Sequence, residues 1–300
     1  MNNRNFMQML RAKWAEGKFV CVGLDTDYEK IPSSVKSELS PSLMDEERIC
    51  WGIYQFNKKI VDATNNLVCA YKPNSAFYEQ YGATGFEGLE KTIAYIHEVA
   101  PNVPVILDAK RADIGNTNDG YVKAAFDYFK ADAVTVHPYL GGEAMKPFLD
   151  CKDKGIIVLC RTSNKGAGEF QDFGISGEHL SAPRGEYLYK QVAENVATYW
   201  NYNGNCLLVV GATYPGELKA VRKIVSDMPI LIPGIGAQGG DLEKTLEAGL
   251  DSKDEGVIIN SSRGIIYASS GEDFAEAARR ETLKLHDAIT AYRQKHLATV

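Results

Sequence analysis

The chain is 300 residues long, 45% hydrophobic and 24% charged, with a formal net charge of −6. Those proportions exclude a disordered or collagen-like chain and allow one large core. Acids and bases are interspersed rather than blocked, which argues against a nucleic-acid partner, since that would want a basic face, but leaves room for a single phosphate.

Residues 1–14 mix Asn, Arg and Gln with Phe, Met and Leu and contain no apolar core of the signal-peptide kind. No later run approaches the roughly 18 apolar residues that span a bilayer, so a cytoplasmic chain with no membrane partner is expected. The pattern that follows is a short apolar run, a polar loop and an amphipathic stretch, repeated. The runs are 19–24, 67–71, 103–107, 133–136, 156–160, 206–210, 230–232 and 256–259. Each is rich in Val, Ile, Leu or Cys without polar alternation, as a parallel strand covered on both faces would be. Helical stretches at 49–63, 85–99, 117–130, 187–200, 215–225 and 241–248 separate them, and 274–297 reads as a closing helix. Eight βα units predict a (β/α)₈ (TIM) barrel, a single domain over 1–300, with a doubly wound open sheet as the competitor. The segments 26–48 and 162–184 are long for barrel loops and so are expected to be functional or mobile. The six cysteines form no CxxC pair, and four lie inside the runs, where a thiol acts as a small hydrophobe.

Active sites of this fold form at the carboxyl ends of the strands. There the sequence places Asp25, Lys72, the stretch Asp108-Ala109-Lys110-Arg111-Ala112-Asp113, His137, Arg161-Thr162-Ser163-Asn164, a glycine-rich turn from Pro233 to Asp241, and Asn260-Ser261-Ser262-Arg263. Asp108 and Lys110, two apart, point to one side of an extended chain. With Lys72 and Asp113 they make four charges able to satisfy one another, which buried charges must do. Such an array would set an ammonium beside a reacting atom; the plainer alternative is an ion-pair network that only braces the barrel. The glycine-rich turn opens a helix and can bring backbone N–H groups to an anion, although glycines also end barrel strands for packing. Arg263 supplies a guanidinium fork to the same corner.

These residues resemble the orotidine 5′-phosphate decarboxylase family, in particular its longer bacterial (type 2) subgroup. The stretch 107–117 is similar to that family's D-x-K-x-x-D-I signature, with Ala112 where Gly is expected; 233–241 is similar to its P-G-[IV]-x-x-Q-G-G-D turn, and Ser262-Arg263 to its phosphate arginine. The resemblance implies cofactor-independent and metal-independent decarboxylation of orotidine 5′-monophosphate to uridine 5′-monophosphate, the last step of de novo UMP biosynthesis. It implies Lys110 as proton donor to C6, Asp108 facing the departing carboxylate, and Lys72 tethering that carboxylate and the ribose. Asp25 would bind a ribose hydroxyl and Ser163 the pyrimidine edge, while Pro233, Gln238, Gly239, Ser262 and Arg263 would hold the phosphate. It also implies a homodimer in which Asp113, Ile114 and Thr117 enter the other subunit's site. Two rivals differ in chemistry. Metal-dependent sugar-phosphate barrels with the same D-x-K-x-x-D strand need a carboxylate at the end of strand two, where this chain has Lys72. A nucleotide-binding sensor needs the phosphate grip alone.

Overall fold

The computed structural model describes residues 4–175, 186–235 and 240–297. Eight parallel strands follow one another in the predicted order: β1 Val20–Gly23, β2 Val68–Lys72, β3 Ile106–Arg111, β4 Ala133–Val136, β5 Gly155–Arg161, β6 Cys206–Val210, β7 Ile230–Pro233 and β8 Val257–Ser261. They are hydrogen-bonded in the order β2-β1-β8-β7-β6-β5-β4-β3. Between the end strands β2 and β3, single bridges at Tyr71–Val105 and Asn74–Asp108 bring the two edges together, so the sheet is a nearly closed barrel and not an open one. Strands sealed between an interior and an outer ring of helices must be apolar on both faces, which is why β1, β2, β4 and β6 are buried at every position. Cys21, Cys69, Cys160 and Cys206 pack in β1, β2, β5 and β6 as expected, and burial pushes the Cys21 and Cys206 thiols up to about 12.

The helices fall close to their expected places, including Asp45–Thr64, Gly82–Val99, Pro215–Val225 and Phe274–Leu297. Two of them, Gly115–Val122 and Leu188–Asn195, run on as π-helical turns, Lys123–Tyr128 and Val196–Trp200. Asp241 proves to be the N-cap of Leu242–Gly249, its carboxylate accepting from Lys244 N at 3.2 Å.

A helix that the opening residues did not announce, α1 (Phe6–Ala15), packs across the amino-terminal end of the barrel. Phe6 and Leu10 are fully buried, Phe6 N donates to Asp153 O (2.9 Å) and Trp14 Nε1 to Val257 O (3.0 Å). At the same end Arg4 grips the fully buried Asp132 through Nε (2.8 Å) and Nη2 (2.7 Å), while Asp132 also accepts from Val105 N (2.9 Å). That end is therefore plugged and braced, and the opposite rim is left for chemistry.

The largest departure from the expected strands is β3. Its apolar run ends at Leu107, yet the strand continues through the charged residues to Arg111. Leu107 pairs with Val134 and Arg111 with Val136, so three residues, 108–110, stand opposite the single residue Thr135. This is a β-bulge, and its third residue, Lys110, lies in the left-handed region at φ 49°. Asp108 and Lys110 reach a common site through that bulge rather than by the alternation of a regular strand.

Candidate active site

One cavity of about 470 Å³ opens at the carboxyl ends of the strands. Its floor has two halves. Lys72, Asp108, Thr135 and Asn260 form a polar half from β2, β3, β4 and β8, and Leu159, Val209 and Leu231 an apolar half from β5, β6 and β7. A flat ring with one charged edge suits such a floor.

Asp108 is the centre of the polar half. Lys72 Nζ donates to its Oδ2 at 2.7 Å; Lys110 Nζ (2.7 Å) and Thr135 Oγ1 (2.8 Å) both donate to its Oδ1. Burial pushes the Asp108 carboxyl up, but the two ammonium groups outweigh it and hold the group well below the usual carboxylate range. Burial likewise acts to lower the Lys72 ammonium, and Asp108 and Asp25 overcome it, so Lys72 keeps its proton more tightly than an ordinary lysine. The two lysines differ in access: the side chain of Lys72 is 5% exposed and that of Lys110 is 45% exposed. Lys72 is thus locked in the floor, and Lys110 overhangs the cavity.

Asp25, just beyond β1, lines the same cavity, and its Oδ1 is buried with no hydrogen bond among the described residues. Its backbone carbonyl is held by Tyr267 Oη at 3.2 Å. A buried carboxylate oxygen without a donor is costly, and a ligand hydroxyl would relieve it.

The loop after β5 brings Ser163 to the wall. Gln171 holds the neighbouring Thr162, accepting from its N–H (2.8 Å) and donating to its Oγ1 (2.9 Å). Arg161, 2% exposed, donates to Asp172 Oδ2 (2.9 Å) and stacks 4.2 Å from the Tyr214 ring. Gly211 is required here, because a Cβ on it would lie 2.7 Å from the Ser163 Cβ. Gly23 serves the same purpose at the far side, where a Cβ would collide with Ser262 Oγ.

Pro233, Ser262 and Arg263 line the end of the cavity between β7 and β8, with Arg263 opening the short helix Arg263–Ile266. Gln238 and Gly239 lie outside the described residues. Asp113, Ile114 and Thr117 are not on this cavity's wall. Asp113 stands apart from the three-charge cluster, its Oδ1 accepting from Ile114 N (2.7 Å), and the Ile114 side chain is 57% exposed. The expected four-charge network is, within one chain, two lysines and a threonine around one aspartate. Thr135 escaped the sequence reading; its only signal is a hydroxyl inside the run Ala-Val-Thr-Val. Gln171 was likewise hidden, in a long polar loop. Among the described residues no group of three or more His, Cys, Asp and Glu could hold a metal ion, and no helix is long and apolar enough to cross a membrane.

Comparison with known proteins agrees with this geometry. Residues 18–280 match the sequence model of the orotidine 5′-phosphate decarboxylase / HUMPS family. The chain is 47% identical over 290 residues to orotidine 5′-phosphate decarboxylase of Azoarcus sp. (strain BH72), covering 96% of this chain and 100% of that one. It is 45% identical over 290 residues to the Cellvibrio japonicus (strain Ueda107) protein of the same name, covering 96% and 99%. Among solved structures, Leishmania donovani OMP decarboxylase is similar at a TM-score of 0.77 and 35% identity, covering 96% of this chain and 98% of that one. With its sequence matched almost end to end and its barrel shared, the chain belongs to the orotidine 5′-phosphate decarboxylase / HUMPS family.

Proposed function

We propose that the chain decarboxylates orotidine 5′-monophosphate to uridine 5′-monophosphate and CO₂, the activity for which its relatives are named, and that it does so as one barrel domain without cofactor or metal. The observation that carries the reading is the Asp108 carboxylate clamped between Lys72 and Lys110 at one end of a cavity whose other end carries Arg263.

Those two ends divide the work. Arg263 and Ser262, with the turn that begins at Pro233, Gln238 and Gly239 among its residues, hold the phosphate. Asp25 and Lys72 take the ribose hydroxyls, and Ser163 reads the pyrimidine edge. The substrate carboxylate then faces Asp108, which the two lysines keep ionised. Like charges repel, and the repulsion is relieved as the C6–carboxylate bond breaks and CO₂ leaves its electron pair on C6. A new C6–H bond forms with a proton from Lys110 Nζ, and the neutral amine regains a proton from water. Lys110 suits that role because it overhangs the cavity, whereas Lys72 is buried and holds its proton tightly. The stabilisation comes from charge fixed before the reaction starts, and binding the remote phosphate helps to assemble the site. Within the same family, a metal-dependent chemistry would require a carboxylate where Lys72 stands, and an ammonium there repels a cation.

Asp113, Ile114 and Thr117 act, on this reading, across a two-fold interface in a homodimer. Support comes from their position outside their own chain's cavity and from the exposed Ile114 side chain. The test of the activity is an ultraviolet assay of the purified chain with orotidine 5′-monophosphate in excess chelator. Steady turnover is expected. No turnover, or turnover lost to chelator and restored by Mg²⁺, overturns the reading.

A further inference from the structure

Thr135 occupies an unusual position in the barrel. It is 1% exposed, the only hydroxyl in β4, and the one residue that faces the three-residue bulge of β3. Its Oγ1 accepts the backbone N–H of Lys110 at 3.0 Å and donates its own proton to Asp108 Oδ1 at 2.8 Å. Lys110 Nζ reaches the same Oδ1 at 2.7 Å. A single hydroxyl therefore ties together the backbone of one member of the charged cluster and the carboxylate of another. The direction of both bonds is determined, because a backbone N–H can only donate and an ionised carboxylate can only accept.

We propose that Thr135 is a positioning residue for the decarboxylation, setting the Lys110 ammonium against the Asp108 carboxylate by pinning both sides of the β3 bulge. The inference rests on the activity proposed above. Three physical points support it. A lysine at φ 49° is in a conformation that L-residues with a Cβ seldom adopt, and it persists only where surrounding contacts impose it. The Lys110 N–H is left out of the β3–β4 ladder by the bulge, and Thr135 replaces the lost partner. Finally, a β-branched side chain in a strand has a restricted χ1, so the hydroxyl is held on one side without further support. Thr135 shares the cavity floor, but the residues proposed for the phosphate, ribose and base stand on other strands and loops, and its hydroxyl is engaged by Lys110 N and Asp108 Oδ1.

Thr135→Val keeps shape and burial while removing both bonds; Thr135→Ser keeps both bonds and removes a methyl group. In Thr135→Val, kcat is expected to fall about a hundredfold, as for an ångström-scale misplacement of a reacting group, while KM and the Kd of uridine 5′-monophosphate stay within about threefold. Thr135→Ser is expected to retain most of the wild-type kcat. A folded Thr135→Val with kcat within about twofold of wild type overturns the proposal, as does a Thr135→Ser that is equally slow, since packing of the methyl would then be the cause. If Thr135→Val does not fold by circular dichroism, Thr135→Ser and Thr135→Ala decide, differing by the hydroxyl alone. A kcat about tenfold or more higher for Ser supports the inference and equal values overturn it. An inactive wild-type chain would instead fail the activity reading itself, so the two failures are separable.

Discussion

Lys110 returns onto Asp108, two residues before it: from a backbone at φ 49° its Nζ donates to Asp108 Oδ1 at 2.7 Å. The opposite carboxylate oxygen is taken by Lys72, also at 2.7 Å. One buried anion thus holds two cations of unequal exposure, and the more exposed one overhangs the cavity.

Lys110→Ala is expected to cut kcat by at least about a hundredfold, since positioned proton transfer contributes roughly that much or more. The fold should survive, because Asp108 keeps Lys72 and Thr135 as donors. Steady-state kinetics beside a thermal melt separate the two effects. A variant with more than about a tenth of wild-type kcat, a barrier change below ~1.4 kcal/mol, shows that the proton comes from elsewhere.

Asp108 also carries a pH signature. Its folded carboxyl titrates below the usual carboxylate range, the lysines outweighing burial. A depressed group adds stability above its unfolded value of about 4, and that stability is lost as pH falls through the folded value. Asp108→Asn leaves the buried Lys72 ammonium, and the more exposed Lys110 beside it, without their anion, so a loss of several kcal/mol is expected at pH 7. The gap in Tm from wild type should narrow only below about pH 4. Melting curves from pH 3 to 8 check this; a gap that widens on acidification contradicts it.

Arg263→Ala is expected to act on substrate capture. Loss of a charge-assisted bond to phosphate is worth about 1.5–3 kcal/mol, or roughly ten- to hundredfold in kcat/KM. Arg263 is exposed at the cavity rim, so added guanidinium should restore part of the rate. An unchanged kcat/KM for the phosphorylated substrate would assign Arg263 to structure alone.

The shared-site arrangement has a complementation test. Lys110→Ala and Asp113→Ala chains are each expected to be inactive. In a mixed dimer one site collects both lesions and the other has neither, so activity should rise toward half the wild-type value per heterodimer. Native mass spectrometry verifies exchange. Exchange without recovered activity places Asp113 in its own subunit's chemistry.

The barrel could be read from the chain alone because its strands are short, continuously apolar and regularly spaced, and burial on both faces imposes that pattern locally. The rim residues Asp25, Lys72, Asp108, Lys110, Ser163 and Arg263 were legible for a related reason: each follows a run that ends at the same side of the sheet, and the cavity gathers all six. What the sequence did not contain was the bulge. Asp108 and Lys110 look like alternate residues of a regular strand, and only pairing with β4, a partner more than twenty residues away, sets three residues against Thr135 and turns Lys110 to φ 49°. The plug formed by α1 was hidden likewise, since its apolar residues find their partners at Asp153 and Val257, far along the chain. Local composition determines which segments become strands and helices; the register between distant segments, which a one-dimensional pattern does not encode, decides which hydroxyl meets which charge.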